Sequence, residues 1–248
     1  MHVFLLLLAA LGAWRGGEDP KTGDELVRAM HDRYAGKWYH SLAFLQHNTR
    51  YFATDSVQHS TWFERAAIPG KLRIDFREGP GFPPDGGVLF VNDSLISIKG
   101  DSVAQSITFI HPLMVLGFDV YAQPVDTTLN KLQSLGFDLS SVRTDTWQGR
   151  SVYVVGAKAG DLHTRQFWVD KERLVFVRML EPGQRDTSAT SETQFNDYRP
   201  FGKGWVSAQV LFLGNGKPVW KEEYDQIQVD VPLTEGAFDA HRWKTTKS

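Results

Sequence analysis

The chain contains no cysteine among its 248 residues. Its absence excludes disulfides, thiol nucleophiles, cysteine-ligated zinc and a lipidated N-terminal cysteine, and it leaves the compartment open. Charge of one sign is also missing. With 27 basic and 29 acidic residues the formal net charge is −2, so neither a polyanion-binding surface nor a nucleic-acid partner is expected. Catalytic signatures are lacking too: there is no G-x-S-x-G elbow, no Walker loop, no G-x-G-x-x-G and no H-E-x-x-H. Gly100-Asp101-Ser102 matches the nucleophile block of one lipase class, but it sits between two strand-like runs as a hairpin turn. His47 and His59 share one predicted hairpin, where solvated strand histidines are the ordinary case. Glu222 and Glu223 are adjacent on a strand and face opposite ways, which makes them poor acid/base partners. No catalytic residue, metal site or cofactor is expected, and the chain does not read as an enzyme.

Long hydrophobic runs are scarce as well. The N-terminal stretch MHVFLLLLAALGAW carries an apolar run of about a dozen residues, which suits a signal-peptide h-region and is too short to span a bilayer as a helix. Residues 1–17 are read as a signal peptide, which places the rest in the periplasm. No later segment approaches membrane-spanning length.

Apolar residues are what the chain has in quantity: they make up 42% of it, with 8 Trp and 16 Phe. The stretch Ser60 to Phe76, STWFERAAIPGKLRIDF, organises the rest. Lys71 to Arg77 alternates strictly, so Leu72, Ile74 and Phe76 share one face and Lys71, Arg73, Asp75 and Arg77 the other, wet one. Pro69-Gly70 reads as a type II turn between two strands.

Before it, Thr22 to Gly36 reads as a helix, with Thr22 or Asp24 as cap and Leu26, Met30 and Tyr34 on one face. Strand-like runs follow at 41–53, 58–65, 71–77, 87–91, 95–99 and 102–109, joined by turn formers. Alternation is lost from Pro112 to Leu135, where Leu129, Leu132 and Leu135 mark a helix closed by Gly136. Strands resume at 151–157, 164–170, 174–180, 192–198, 205–213 and 219–231. Hairpin connections throughout imply an antiparallel meander rather than βαβ units. A twisted sheet of this size curls, so a closed or partly open barrel with helices at its mouth is expected.

The functional reading is an apolar groove for lipid chains, screened when empty by Leu113–Phe118, which is too apolar for an ordinary surface loop. Candidate lining residues are Phe44, Trp62, Leu72, Ile74, Phe76, Phe109, Leu113, Met114, Leu116, Phe167, Val169, Val175, Val177, Val210 and Phe212.

The early helix, the STWFERAAIPGKLRIDF hairpin, the mid-chain helical insertion, Gln166-Phe167-Trp168-Val169-Asp170-Lys171 and the closing Tyr224 to Phe238 come in a telling order. Together they resemble the LolA/LolB-like superfamily of periplasmic lipoprotein and lipid carriers. The resemblance spans about residues 22–243. It implies a mainly β chain with a few helices: one domain over 22–243, an open antiparallel half-barrel of about eleven strands, with a helical lid from an insertion at 111–136. It also implies a monomeric carrier that holds acyl chains of lipoproteins or lipids, exchanges them with membrane-bound donor and acceptor proteins, and moves them toward the outer membrane. An envelope sensing module using the same groove for a protein partner is the second reading. Carriers of this kind place an arginine directly before the proline of the early hairpin, where it holds the lid closed. Here Ile68 stands in that place, and Arg65 and Arg73 are the candidates for the lid contact.

Overall fold

The computed structural model describes residues 18–82, 85–100 and 102–246. The signal-peptide stretch 1–17 lies outside the described residues, as do Pro83, Pro84 and Asp101 of two expected turns.

The first helix, α1 (Gly23–Tyr34), is fixed by a capping box. Thr22 Oγ1 accepts from the Glu25 N–H at 3.2 Å, and Glu25 Oε2 accepts from the Thr22 N–H at 3.4 Å. Leu26, Val27, Met30 and Tyr34 form its buried stripe. Six strands follow: β1 (Ser41–Tyr51), β2 (Val57–Ala67), β3 (Lys71–Glu78), β4 (Gly87–Val91), β5 (Ser94–Lys99) and β6 (Ser102–Thr108). The chain then leaves the sheet for α2 (Pro112–Gly117), a 3₁₀ turn over Asp119–Tyr121, and α3 (Val125–Ser134). It returns through β7 (Val142–Trp147), β8 (Arg150–Val155), β9 (Gln166–Asp170), β10 (Phe176–Pro182), β11 (Thr190–Phe201), β12 (Gly204–Gly214) and β13 (Lys217–Val229).

All these strands form one antiparallel sheet of order β6-β5-β4-β3-β2-β1-β13-β12-β11-β10-β9-β8-β7. First and last strands therefore meet in the middle, through register pairs such as Asn48 with Glu222 and Gln46 with Tyr224. β6 and β7 are the two edges and do not pair, so the mainly β half-barrel stays open. The helical insertion carries the chain from one edge to the other. α1 and α3 pack with β8 to β11 into the main core, which holds Leu26, Met30, Leu132, Tyr153, Phe167 and Phe176. Tyr34, Trp38 and Tyr121 lock α1 to the 3₁₀ turn, with Trp38 and Tyr121 stacked at 4.0 Å between centroids.

Thirteen strands form, one more than the twelve strand-like runs of the sequence, because Val142–Trp147 is also a strand. Its sequence, VRTDTW, offers no apolar phase, and it lies half-exposed at an edge where none is needed. The Ile68–Pro69 bond is cis, and Gly70 takes the positive φ, 83°, that the turn is expected to need of it.

The face of β3 expected to be wet is buried at Arg73 and Asp75. After β13 the chain crosses to the outer side of the sheet and lays Trp243 against Leu89 and Ile98. Gly87 makes room for it, since a Cβ there would lie 2.5 Å from the Trp243 ring. Beneath this tail Asp75 accepts from Arg65 Nη2 at 2.9 Å and from Arg73 Nη2 at 2.8 Å. Arg73 also donates to the carbonyls of Ala237 and Trp243 and to Thr246 Oγ1, and its guanidinium lies 3.8 Å from the Trp243 ring centroid. Removing one partner of a buried ion cluster strands the others without a counter-charge. Asp75→Ala is expected to lower stability by about 3–5 kcal/mol in chemical denaturation, well beyond an ordinary core truncation of similar volume.

Candidate functional site

On the half of the concave face that α1 and α3 leave uncovered, a cavity of ≈ 170 Å³ lies between the sheet and α2. Register builds its floor row by row. Phe44 pairs with Glu64 and Glu64 with Ile74; Leu42 pairs with Ala66 and Ala66 with Leu72; Val210 pairs with Glu222. Because opposite residues in a ladder share a face, one phase of six strands, β1 to β3 and β11 to β13, lines the cavity. The insertion closes it from above with His111, Leu113, Met114 and Phe118. Gly117 lets α2 settle on Phe195, whose ring would meet a Cβ there at 2.8 Å.

Of the fifteen expected lining residues, Phe44, Trp62, Leu72, Ile74, Leu113, Met114, Val210 and Phe212 line this cavity. Phe76 lies beside it: it packs at 5.3 Å from Trp62 in an aromatic cluster completed by Phe82 and Trp220. Phe109 packs on Phe90 and His111 around a smaller neighbouring space. Leu116 of α2 and Phe167, Val169, Val175 and Val177 of the sheet do not line this cavity; all five are completely buried in the main core.

Arg65 and Arg73 do not hold the lid. They occupy the opposite strand phase, and their hydrogen bonds run to Asp75 and the C-terminal tail on the outer side of the sheet. The contact from hairpin to insertion is made by Asp119 instead, whose Oδ1 accepts from the Gly70 N–H at 2.9 Å. Burial pushes the Asp119 carboxyl up to about 6, against the lowering effect of that N–H. Lys131 of α3 adds an ion pair to Asp93 at 2.5 Å.

Sequence reasoning missed Leu42, Ala66, Phe118, Phe195 and a polar group made by Glu64, Glu222, Tyr224 and His111. Glu64 was within reach, since it shares the phase of Trp62. Glu222 becomes visible only once β13 is paired with β1 and β12. Glu64 is 5% exposed, and no hydrogen-bond donor reaches it among the described residues. Glu222 accepts from Tyr224 Oη at 2.8 Å and from Trp220 Nε1 at 3.2 Å. Desolvation, reinforced by the Glu222 charge, holds the Glu64 carboxyl well above the usual carboxylate range. Desolvation likewise lifts Glu222 to about 7, against the lowering bonds from Tyr224, Trp220 and Gln46. His111 is pushed down to about 4 by burial and is neutral. Three buried nitrogens nearby, Asn48 Nδ2, Trp62 Nε1 and His111 Nδ1, have no hydrogen-bond partner. The walls suit an apolar chain, and the carboxyl pair gives one end a polar character. A volume of ≈ 170 Å³ is below the roughly 300–1,000 Å³ of drug-sized sites, so it takes a short chain segment or a head group.

A carboxyl whose pKa rises on folding stabilises the fold below its unfolded value and loses that contribution as pH climbs through the folded one. For Glu222 this window runs from about 4.5 to about 7. His111 acts in the opposite sense, adding stability as pH rises from about 4 to 6.5, so the difference between proteins is the informative quantity. Glu222→Gln is expected to gain stability relative to the parent protein as pH is raised from 5 to 8. The gain is on the order of 3 kcal/mol, read as the gap between the two thermal melting curves across that range.

No known family's sequence profile matches the chain, and no curated protein matches it. Solved structures do. A putative outer membrane lipoprotein-sorting protein domain from Vibrio parahaemolyticus is 12% identical, with a TM-score of 0.60 over 88% of this chain and 96% of that one. A DUF1329 family protein from Desulfovibrio piger is 12% identical, with a TM-score of 0.58 over 91% and 98%. A LolA superfamily protein from Nitrosomonas europaea is 9% identical, with a TM-score of 0.57 over 86% and 96%. At these identities the likeness is one of architecture, and it is clear: the chain has a LolA-like fold.

Proposed function

We propose that this protein is a periplasmic, non-enzymatic carrier that shelters acyl chains of lipids or lipoproteins in its apolar groove. The observation that carries the reading is the uncovered half of the concave sheet face, roofed by one six-residue helix, α2, which has no side-chain cap. Burying a chain contributes roughly 0.8 kcal/mol per CH₂, so affinity needs no strong polar contact. Met114 on the roof adapts to a poorly shaped ligand. A full-length acyl chain exceeds the space present, so loading requires α2 to lift from Phe195 and the Gly70–Asp119 contact to yield. Short helices with few tertiary bonds are the elements that open at low cost. The fold likeness to a lipoprotein-sorting domain and a LolA superfamily protein supports the same reading. A monomer that meets membrane-bound donor and acceptor proteins, and moves its cargo toward the outer membrane, follows from it.

The test is native mass spectrometry of protein recovered gently from a cell envelope, with uptake of a fluorescent fatty acid measured alongside. Discrete phospholipid or acylated-peptide adducts are expected. Ile74→Glu, which puts a carboxylate on the groove floor opposite Glu64, is expected to reduce uptake by at least about tenfold. A folded Ile74→Glu protein that loads like the parent would remove the groove as the site.

A further inference from the structure

The groove carries two carboxyl groups that its apolar walls do not require. Glu64 and Glu222 lie two rows apart on one sheet face, since β1 pairs Phe44 with Glu64 on one side and Asn48, four residues further on, with Glu222 on the other. Both line the same cavity, and no lysine or arginine lines it. Elsewhere the protein treats buried carboxylates differently: Asp75 has two guanidiniums, and Glu192 has Arg178 at 2.7 Å. Burying an ionised acid without a cation or a donor is costly, and a cation seated beside it would offset that cost. Glu64 is the sharper case, being nineteen-twentieths buried on the lining of the cavity with no hydrogen bond to it among the described residues.

The surrounding rings favour positive charge as well. Phe44 and Tyr224 stack at 4.1 Å and Trp62 lies 5.5 Å from Trp220, which gives the polar end aromatic walls. Such faces attract ammonium groups, the more so when water is excluded. We propose that the polar end of the groove is a binding site for a protonated primary amine borne on an apolar chain, with Glu64 and Glu222 accepting its N–H bonds. This rests on the carrier reading of the same groove. A primary ammonium has three donors, which matches the two open oxygens of Glu64 and the remaining capacity of Glu222. Either an aminoalkyl lipid head or a free long-chain amine supplies this chemistry. The titratable groups facing the site are Glu64 from β2, Glu222 and Tyr224 from β13, and His111 ahead of α2. Seating the cation favours both ionised carboxylates, so loading releases protons and tightens as pH rises through neutrality.

Calorimetric titration with octylammonium, octanol, methyl octanoate and octanoate at pH 5 and pH 8 tests this. At pH 8 octylammonium is expected to bind at least about tenfold more tightly than octanol, the effect of one charge-assisted hydrogen bond. That margin should shrink at pH 5 and fall to about one in Glu64→Gln/Glu222→Gln. The parent protein at the two pH values decides the matter even if the double variant does not fold. Equal affinity for amine and alcohol, or preference for the ester or the carboxylate, would overturn the proposal and leave the apolar groove intact. Failure of all four to bind would overturn the groove reading with it. Aminoethyl phospholipid vesicles added afterwards distinguish a lipid head from a free amine as the source.

Discussion

A sheet of thirteen twisted strands that does not close must have its concave face covered by something other than strands, and the rest of this structure follows from how that is done. Order along the sheet sets the terms. Because β1 and β13 pair in the middle, the only connection that has to travel between the open edges is the one from β6 to β7, and it is this connection that carries helices. α1 and α3 cover β8 to β11 and make a dry, filled core. Only the six residues of α2 are left for the other half, which is why the space lies there and not elsewhere on the concave face.

The two faces of β2 and β3 illustrate opposite solutions to buried charge. Outward, Asp75 pairs with both Arg65 and Arg73 under the C-terminal tail, and the two guanidiniums donate further to backbone carbonyls of that tail. Inward, Glu64 sits one residue from Arg65 yet points to the other side of the sheet, into a cavity that no lysine or arginine lines among the described residues. The result is a rigid outer surface and an inner one with unspent hydrogen-bonding capacity.

The resemblance stated from sequence pointed to a lid held by an arginine at the early hairpin. In this protein the early hairpin meets the helical insertion through a different contact, the Gly70 backbone N–H donating to the Asp119 carboxyl. A neutral donor on a carboxylate that burial has lifted to about 6 is a weaker tie than an ion pair. The difference comes from Ile68, which occupies the position where the positive charge would stand and is itself buried in the core.

Sequence alone determined the elements with strong local signals. Alternation from Lys71 to Arg77, turn formers between short runs and the capping residues at Thr22 or Asp24 placed α1 and twelve of the strands, and hence an antiparallel meander curling into a closed or partly open barrel. These are properties of neighbours two to four residues apart, which local periodicity records. Tertiary structure decided everything that depends on partners distant along the chain. It turned Arg73 from a solvated side chain into a buried one, because the tail that covers it lies some 170 residues away. It removed Phe167, Val169, Val175 and Val177 from the groove, because apolar residues under a helix and apolar residues around a cavity look alike in sequence. It also assembled Glu64 with Glu222, which only the pairing of the first strand with the last could bring to one face.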